Sequence, residues 1–460
     1  MSISTPLAPK AGTKVLVVGL GKTGLSCARY LHALGCTVAV TDSREIPPGL
    51  DQLRAELPDL ALMLGGFADA AFGAAEQIVV SPGVPLTEPA IQGALAAGVS
   101  VYGDVELFAH AVRAPVVGIT GSNGKSTVTT LLGLMARQAG RRVGVGGNLG
   151  EPVLDLLAQD VDLYVIELSS FQLETTHSLR LRAATVLNLS PDHMDRYPDM
   201  AAYSAAKGRI FAHAEAAVVN RDDRPAARLA DAVPHRCGFT LGTPFEAGDY
   251  GVAEHAGAPW IVRGPMPDPS PLLPVSSLLL PGTHNLANAL AALALGELCG
   301  LETAPMCEVL QSFRGLAHRS ELVADRGGVR WINDSKGTNP GATVAALLGL
   351  VPEPSRGKAV LIAGGDCKDA HFTPLVAAVE RTARAVVLIG RDAPLLAEVL
   401  GGRVELLRAQ DMDEAVRLAG EAAQPGDCVV LSPACASFDM FDDYQHRGRV
   451  FAEAVQRRVP

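Results

Sequence analysis

Thr120-Gly-Ser-Asn-Gly-Lys-Ser-Thr127 follows directly on the apolar run Pro115-Val-Val-Gly-Ile119. An apolar strand, a glycine turn and a Lys-Ser pair leading into a helical pattern describe a phosphate-binding loop. Glycines let backbone N–H groups turn inward around phosphate oxygens. A helix starting near Ser126 points its positive end at the same anion. In such a loop Lys125 reaches the terminal phosphates and the Ser126 hydroxyl ligates Mg²⁺. Gly121, Ser122, Asn123, Gly124 and Thr127 complete the cradle. The spacing departs from the usual pattern, because Ile119 stands where the loop normally begins with glycine. A glycine turn beside a chance Lys-Ser is the competing reading, and the strand and helix around it argue for a nucleoside triphosphate.

Outward from the loop, short Val/Ile/Leu runs alternate with longer helical patterns. Continuous apolar runs mark strands buried on both faces, hence parallel sheets covered by helices. The expected class is α/β with three domains. Residues 1–112 form a Rossmann-like domain, 113–316 a P-loop ATPase-like parallel sheet, and 317–460 a second Rossmann-like domain. The first has strands at Lys14–Val18, Thr37–Thr41 and Gln77–Val80, and a helix from Thr23 to Leu34. The second has strands at Pro115–Ile119, Val143–Val145, Leu163–Leu168, Ala184–Leu189 and Ala216–Asn220. Loops and short β structure follow over Leu241–Pro281, then a helix over His284–Leu298. The third has strands at Val329–Asn333, Ala359–Ala363, Ala385–Ile389 and Cys428–Leu431.

Composition excludes several classes. Lys plus Arg number 39 against 49 Asp plus Glu, a formal charge of −10. An acidic chain without basic runs is a poor partner for nucleic acid or an anionic membrane. Eight cysteines show no Cys-x-x-Cys pair and no zinc spacing, which fits reduced thiols in a cytoplasmic protein. Met1 to Thr13 lacks a hydrophobic signal core. The most apolar helical stretch, Leu286–Cys299, is too short to span a bilayer and is interrupted by Asn288 and Glu297. No membrane insertion is expected.

A second glycine loop, Gly19-Leu-Gly21-Lys22-Thr23-Gly24, also follows a strand, with Asp42 ending the next one. Alone it is a dinucleotide fingerprint and suggests a dehydrogenase. The pattern requires only a diphosphate-friendly βαβ unit, which a nucleotide-diphosphate substrate satisfies equally, so no NAD is expected beside the second loop. Ser81-Pro-Gly83 either adds a ligand loop to that sheet edge or is a plain strand-ending turn.

Glu167 closes a buried strand and is placed to hold Mg²⁺, unless it is merely a charged strand end. His193, between Asp192 and Asp195, is a candidate for a second metal. By spacing alone Lys207, on a helix over Ala201–Ala212, reads as a solvated lysine. Asn285 and Asn288, one turn apart, either meet a nucleotide or are helix-surface amides. Three polar loops follow strands in the third group: Asn333–Asn339, Gly364–Lys368 and Ser432–Ser437. They line a carboxyl edge where ligands of such sheets bind.

Thr120–Thr127, Glu167-Leu-Ser-Ser-Phe-Gln-Leu-Glu174, Asp192-His-Met-Asp-Arg-Tyr197, His284-Asn285, Asn333-Asp-Ser-Lys-Gly-Thr338 and Ser432-Pro-Ala-Cys-Ala-Ser437 together resemble the Mur ligase family. The resemblance covers essentially the whole chain, in order, and points to its glutamate-adding branch. It implies ATP-dependent amide formation between UDP-N-acetylmuramoyl-L-alanine and D-glutamate through an acyl phosphate. L-glutamate or another amino acid remains the alternative substrate. It implies two Mg²⁺ ions on Ser126, Glu167, His193 and a carbamylated Lys207, with Lys125 on the phosphates. It assigns Asn285, Asn288, Arg319, Asp334 and Lys336 to ATP. Gly21, Lys22, Thr23, Asp42, Ser43, Arg44, Ser81, Gly83 and Asn148 fall to the UDP substrate. Thr338, Lys368, Ser437 and Phe438 fall to glutamate, with Tyr444 as a further aromatic near it. A monomer is expected.

Overall fold

A computed structural model describes residues 7–280, 282–351, 357–367 and 371–458. Lys368, Pro281 and the first residues of the N-terminal stretch lie outside the described residues. Among the described residues three sheets form.

The first contains β1 (Lys14–Val18), β2 (Thr37–Asp42), β3 (Ala61–Leu64), β4 (Gln77–Val80) and β5 (Ser100–Tyr102) in the order β3-β2-β1-β4-β5. Every pairing is parallel. The order reverses between β1 and β4, so the Gly19 loop after β1 opens at the switch point where such sheets bind ligands.

The middle sheet contains β6 (Val116–Thr120), β7 (Val143–Gly147), β8 (Leu163–Glu167), β9 (Ala183–Val186), β10 (Ala216–Asn220), β11 (His235–Phe239), β12 (Tyr250–His255), β13 (Ala258–Arg263) and β14 (Ser270–Pro274). Its order is β14-β13-β12-β11-β10-β9-β6-β8-β7, parallel from β7 to β12 and antiparallel across β12-β13-β14. The antiparallel hairpins are the short β structure expected over Leu241–Pro281. β6 is buried along its whole length, between β8 and β9. The helix Thr283–Leu298 is buried from Ala289 to Gly296. A helix apolar on all sides belongs in a core, and this one packs against the helix Lys125–Gln138 that leaves the phosphate loop.

The third sheet contains β15 (Glu321–Arg326), β16 (Val329–Asn333), β17 (Ala359–Ala363), β18 (Ala383–Leu388), β19 (Glu405–Arg408) and β20 (Cys428–Leu431). The order is β15-β16-β20-β17-β18-β19, with only β15 antiparallel. β16, β20 and β17 lie side by side, so the loops that follow them share one edge.

Four strands escape a reading based on apolar runs: β3, β5, β15 and β19. Each lies at a sheet edge and is partly exposed. A strand that need not be buried on both faces need not be apolar throughout. β11 is missed for a different reason, since it begins on exposed His235 and Arg236.

Candidate active site

The phosphate loop leaves β6 at Thr120. Gly121 and Gly124 have φ of +150° and +84°, and Gly124 adjoins a side chain: a Cβ there would sit 2.4 Å from Asn288 Oδ1. The loop is braced from β9's exit. The Asn123 N–H donates to Asn188 Oδ1 at 2.8 Å, and Asn188 Nδ2 returns a bond to Asn123 O at 3.0 Å. Ser122 Oγ donates to Ser190 O and accepts from its N–H, both at 2.9 Å. Lys125 Nζ lies against the loop's own carbonyls, Gly121 O at 2.8 Å and Ser122 O at 2.9 Å. Burial lowers its pKa, with Glu167 and Asp192 opposing.

Glu167 ends β8 at 2% exposure, which removes the solvated strand-end alternative. A capping box follows: Ser169 and Gln172 exchange side-chain-to-backbone bonds, turning the chain into the helix Ser170–Glu174. Asn148 Nδ2 donates to Glu167 Oε1 at 2.6 Å. The other oxygen, Oε2, is buried without a hydrogen-bond partner among the described residues. An orphaned carboxylate oxygen on a cavity wall suits a hard cation, so the donor set fits Mg²⁺. Asn148, expected beside the uridine end, is thus anchored to this acid and lines the same cavity.

Lys207 is 2% exposed, so its spacing misled. The helix Met200–Gly208, capped by Asp199, buries the face carrying Tyr203, Ala206 and Lys207 against the phosphate loop. Lys207 Nζ donates to Gly121 O at 2.9 Å and lies 4.7 Å from the Tyr203 ring centre. Burial, then the Lys125 charge, hold its pKa well below the ordinary lysine value. Such an amine is neutral more of the time, the form that reacts with CO₂. Asn285 and Asn288 are 6% and 7% exposed; the surface-amide alternative fails because their helix turns that face toward the loop. His193 has φ of +58° and stands edge-on to Phe171 with centroids 4.8 Å apart. Burial lowers its pKa while Asp192 opposes.

The third sheet supplies the opposite wall. Arg319 Nη2 donates to Ser126 Oγ at 2.6 Å, and Asn339 Nδ2 to Asp192 Oδ2 at 3.0 Å. Asp334 accepts from Ser432 Oγ at 2.7 Å and the Ser320 N–H at 3.1 Å, and burial raises its pKa to about 6. Lys336 Nζ lies 4.0 Å over the Tyr444 ring; burial, then Arg319, lower its pKa to about 8.

Two cavities open on either side of the phosphate loop. One, of 380 Å³, is lined by Asn123 to Ser126, Asn148, Glu167, His193, Lys207, Thr338 and Tyr444. The other, of 290 Å³, is lined by Thr127, Asn188, Asn285, Asn288 and Asp334. Asn123, Gly124, Arg319 and Lys336 border both. Ser437 is buried behind the wall, and Phe438 is 65% exposed. Neither lines these cavities, where Tyr444 presents the aromatic face instead.

Gly21, Lys22, Thr23, Asp42, Ser43, Arg44, Ser81 and Gly83 sit at the carboxyl edge of the first sheet, outside both cavities. Ser81 Oγ donates to Gly19 O at 2.9 Å. Burial works against the Asp42 charge, yet the Arg44 guanidinium and the Leu20 N–H bring its pKa down to about 2. Those bonds engage both carboxylate oxygens that a nicotinamide dinucleotide's ribose would otherwise occupy.

Reading the sequence missed three supports: Asn188, Tyr203 (its hydroxyl 3.2 Å from Ser122 Oγ) and Arg447. Arg447 is 2% exposed, and its guanidinium donates to Ser335 O, Ser335 Oγ, Cys435 O and Ala436 O. It ties the loop after β16 to the loop after β20. A lone arginine in a charged C-terminal helix gives no local signal of this.

A phosphate loop on which a buried carboxylate and cations converge from two sheets, beside a separate dinucleotide-type sheet, defines a nucleotide-dependent group-transfer enzyme of three α/β units. Family models agree along the chain: Mur ligase MurD-like N-terminal domain over residues 13–103, Mur ligase middle domain over 119–296, and Mur ligase glutamate ligase domain over 318–435. The chain is 56% identical over 457 residues to UDP-N-acetylmuramoylalanine–D-glutamate ligase of Nitrosococcus oceani, covering 99% of each. It is 52% identical to the enzyme of the same name from Pseudomonas aeruginosa, covering 96% of this chain and 97% of that one. Among solved structures it is similar to UDP-N-acetylmuramate-alanine ligase MurC of Thermotoga maritima, with TM-score 0.61 at 18% identity over 96% of this chain and 99% of that one. MurF ligase of the same organism, in complex with ADP, gives TM-score 0.61 at 15% identity over 98% and 96%. The chain belongs to the Mur ligase family.

Proposed function

We propose that this protein is an ATP-dependent ligase that joins D-glutamate to UDP-N-acetylmuramoyl-L-alanine in cytoplasmic peptidoglycan precursor synthesis, releasing ADP and phosphate. The observation that carries this reading is the convergence of Lys125, Lys207, Arg319, Lys336 and the orphaned Glu167 oxygen around one phosphate loop. Two anions, a substrate carboxylate and a γ-phosphate, must approach each other there. A set of cations preorganised at that point cancels their repulsion.

In this reading residues 1–112 hold the UDP end on the Gly19 edge, 113–316 bind ATP, and 317–460 bring glutamate. The 290 Å³ cavity suits the nucleoside, with Asn285, Asn288 and Asp334 on its wall. Lys125 and Lys336 take the phosphates, and Arg319 exchanges Ser126 for one of them. Ser126 and Glu167 hold the first Mg²⁺, and His193 with a carbamylated Lys207 the second. Bound there, the metal neutralises charge as phosphate moves to the substrate carboxylate. Thr338 and Tyr444 form the glutamate side, with Ser437 buried in the wall behind them. Docking of the third unit excludes water from the acyl phosphate before the glutamate amine attacks.

Phosphate release tests this. It should require ATP, UDP-N-acetylmuramoyl-L-alanine and D-glutamate together, with L-glutamate run in parallel. Full-rate release without an amino acid would mark a nucleotide hydrolase and sink the ligase reading. Equal rates with both enantiomers would sink the stereochemical part alone.

A further inference from the structure

The loops after β17 and β20 meet in an isolated antiparallel bridge. The Asp366 N–H donates to Ala436 O at 3.0 Å, and the Ala436 N–H to Asp366 O at 2.8 Å. The residues beside the bridge are cysteines, and it sets them face to face: Cys367 Sγ and Cys435 Sγ are 3.0 Å apart. Both are free thiols, 4% and 1% exposed. Ordinary contact between heavy atoms is about 3.5–4.0 Å, so these sulfurs are closer than packing alone requires. A disulfide needs about 2.05 Å, roughly 1 Å less than the present separation.

The backbones on both sides are anchored. The Cys367 N–H donates to Asp392 Oδ2 at 2.8 Å, and Cys435 O accepts from Arg447 Nη1 at 3.1 Å. Cys367 also lines the 380 Å³ cavity.

We propose that Cys367 and Cys435 form a reversible dithiol–disulfide site in the cavity wall, oxidised by small hydroperoxides. The Cys367 sulfur attacks the peroxide O–O bond, giving a sulfenic acid and one water from hydrogen peroxide. The Cys435 sulfur then attacks the sulfenic sulfur. The S–S bond forms, the S–O bond breaks, and hydroxide leaves as a second water with the Cys435 proton. Two thiols lose two electrons in total, and one peroxide is reduced to two waters. Closing the gap draws the two loops together and displaces the chain entering Ser437. The kinetic consequence rests on the ligase reading; the bond itself does not.

The test treats reduced full-length protein with hydrogen peroxide, blocks remaining thiols, and maps peptides by mass spectrometry. The expected product has lost two hydrogens, carries a linked Cys367–Cys435 peptide, and reverts with dithiothreitol. The KM for glutamate should rise about tenfold on oxidation and return on reduction. Cys367→Ser and Cys435→Ser, each compared with its own untreated form, should show no such change. Failure to find the linked peptide in wild type, or sulfinic acid at Cys367 in its place, overturns the site. A linked peptide with unchanged glutamate KM overturns its effect on the cavity. Absence of glutamate-dependent turnover in the reduced protein overturns the ligase reading and leaves the linked peptide to be judged alone.

Discussion

Lys207→Met separates function from stability at one buried atom. The substitution keeps an unbranched four-atom stem and removes the amine. Turnover in the phosphate-release assay should fall about 10²–10³-fold, the scale of one lost electrostatic group, roughly 3–4 kcal/mol. Stability should move the other way. Losing the Nζ bond to Gly121 O costs about 1 kcal/mol. Against this, burial drives the amine's proton off, so between its lowered pKa and the ordinary 10.5 the unfolded chain binds more protons. Stability of the wild type therefore rises with pH across that window and is penalised below it. Each tenfold loss of proton affinity is worth about 1.4 kcal/mol, so a shift beyond a single step outweighs the lost bond. Melting followed in CO₂-free buffer should place the variant above wild type at pH 7, each kcal/mol moving the midpoint by about 2–4 °C for a domain of this size. The order should reverse above pH 10.5, where the amine is neutral in both states. Adding bicarbonate should stabilise wild type and leave the variant unmoved. Turnover within a few-fold of wild type, or a melting difference that is constant from pH 7 to pH 10, would refute the reasoning.

Lys125→Ala should cost about 3 kcal/mol or more in kcat/KM if, as proposed, the amine now resting on loop carbonyls meets the terminal phosphates. Asn188→Ala should raise the KM for ATP and lower the melting temperature, since it strips a partner from both the N–H and the C=O of Asn123, at about 1–3 kcal/mol for the pair; steady-state kinetics and calorimetry read both. Lys336 loses its proton as pH rises through about 8. The KM for ATP should therefore climb above that pH, and Lys336→Arg, which stays charged and can still stack on Tyr444, should flatten the rise.

Buried strands were legible in the sequence because each is an unbroken apolar run, and the loops after them were legible because glycine, serine and asparagine interrupt those runs. Edge strands such as β15 and β19 carry no such signature, for half of each faces water. Within the site, legibility followed the chain. Thr120–Thr127 holds its chemistry in consecutive residues, so the loop could be read. The hydrogen bond and the strongest charge on Lys207 come from Gly121 and Lys125, more than 80 positions away, and a spacing argument returned a surface lysine. Spacing left Asn285 and Asn288 open for the same reason: their polar turn is compatible with solvent exposure until the phosphate loop is set against it. Arg447 and Asn188 act mostly through backbone atoms of other segments, and nothing nearby in sequence announces that.

The contact between Arg319 and Ser126 has a consequence for the order of events. Ser126 Oγ cannot both accept from a guanidinium at 2.6 Å and serve a divalent cation at the same position, since two positive groups would then share one oxygen. Lys125 spends two of its three donors on Gly121 O and Ser122 O, which leaves one for a terminal phosphate. On the proposed reading, nucleotide and metal would displace Arg319 from Ser126, and the freed guanidinium would find a new partner in a phosphate. Arg319 stands just before β15, so the exchange shifts the charge that faces the middle sheet from a hydroxyl to a phosphate. Docking of the third unit, held in this structure by Arg319 on Ser126 and Asn339 on Asp192, then comes to depend on ATP itself. An enzyme that must keep an acyl phosphate from water gains by this arrangement. The wall that excludes water closes most firmly when the phosphate to be protected is present.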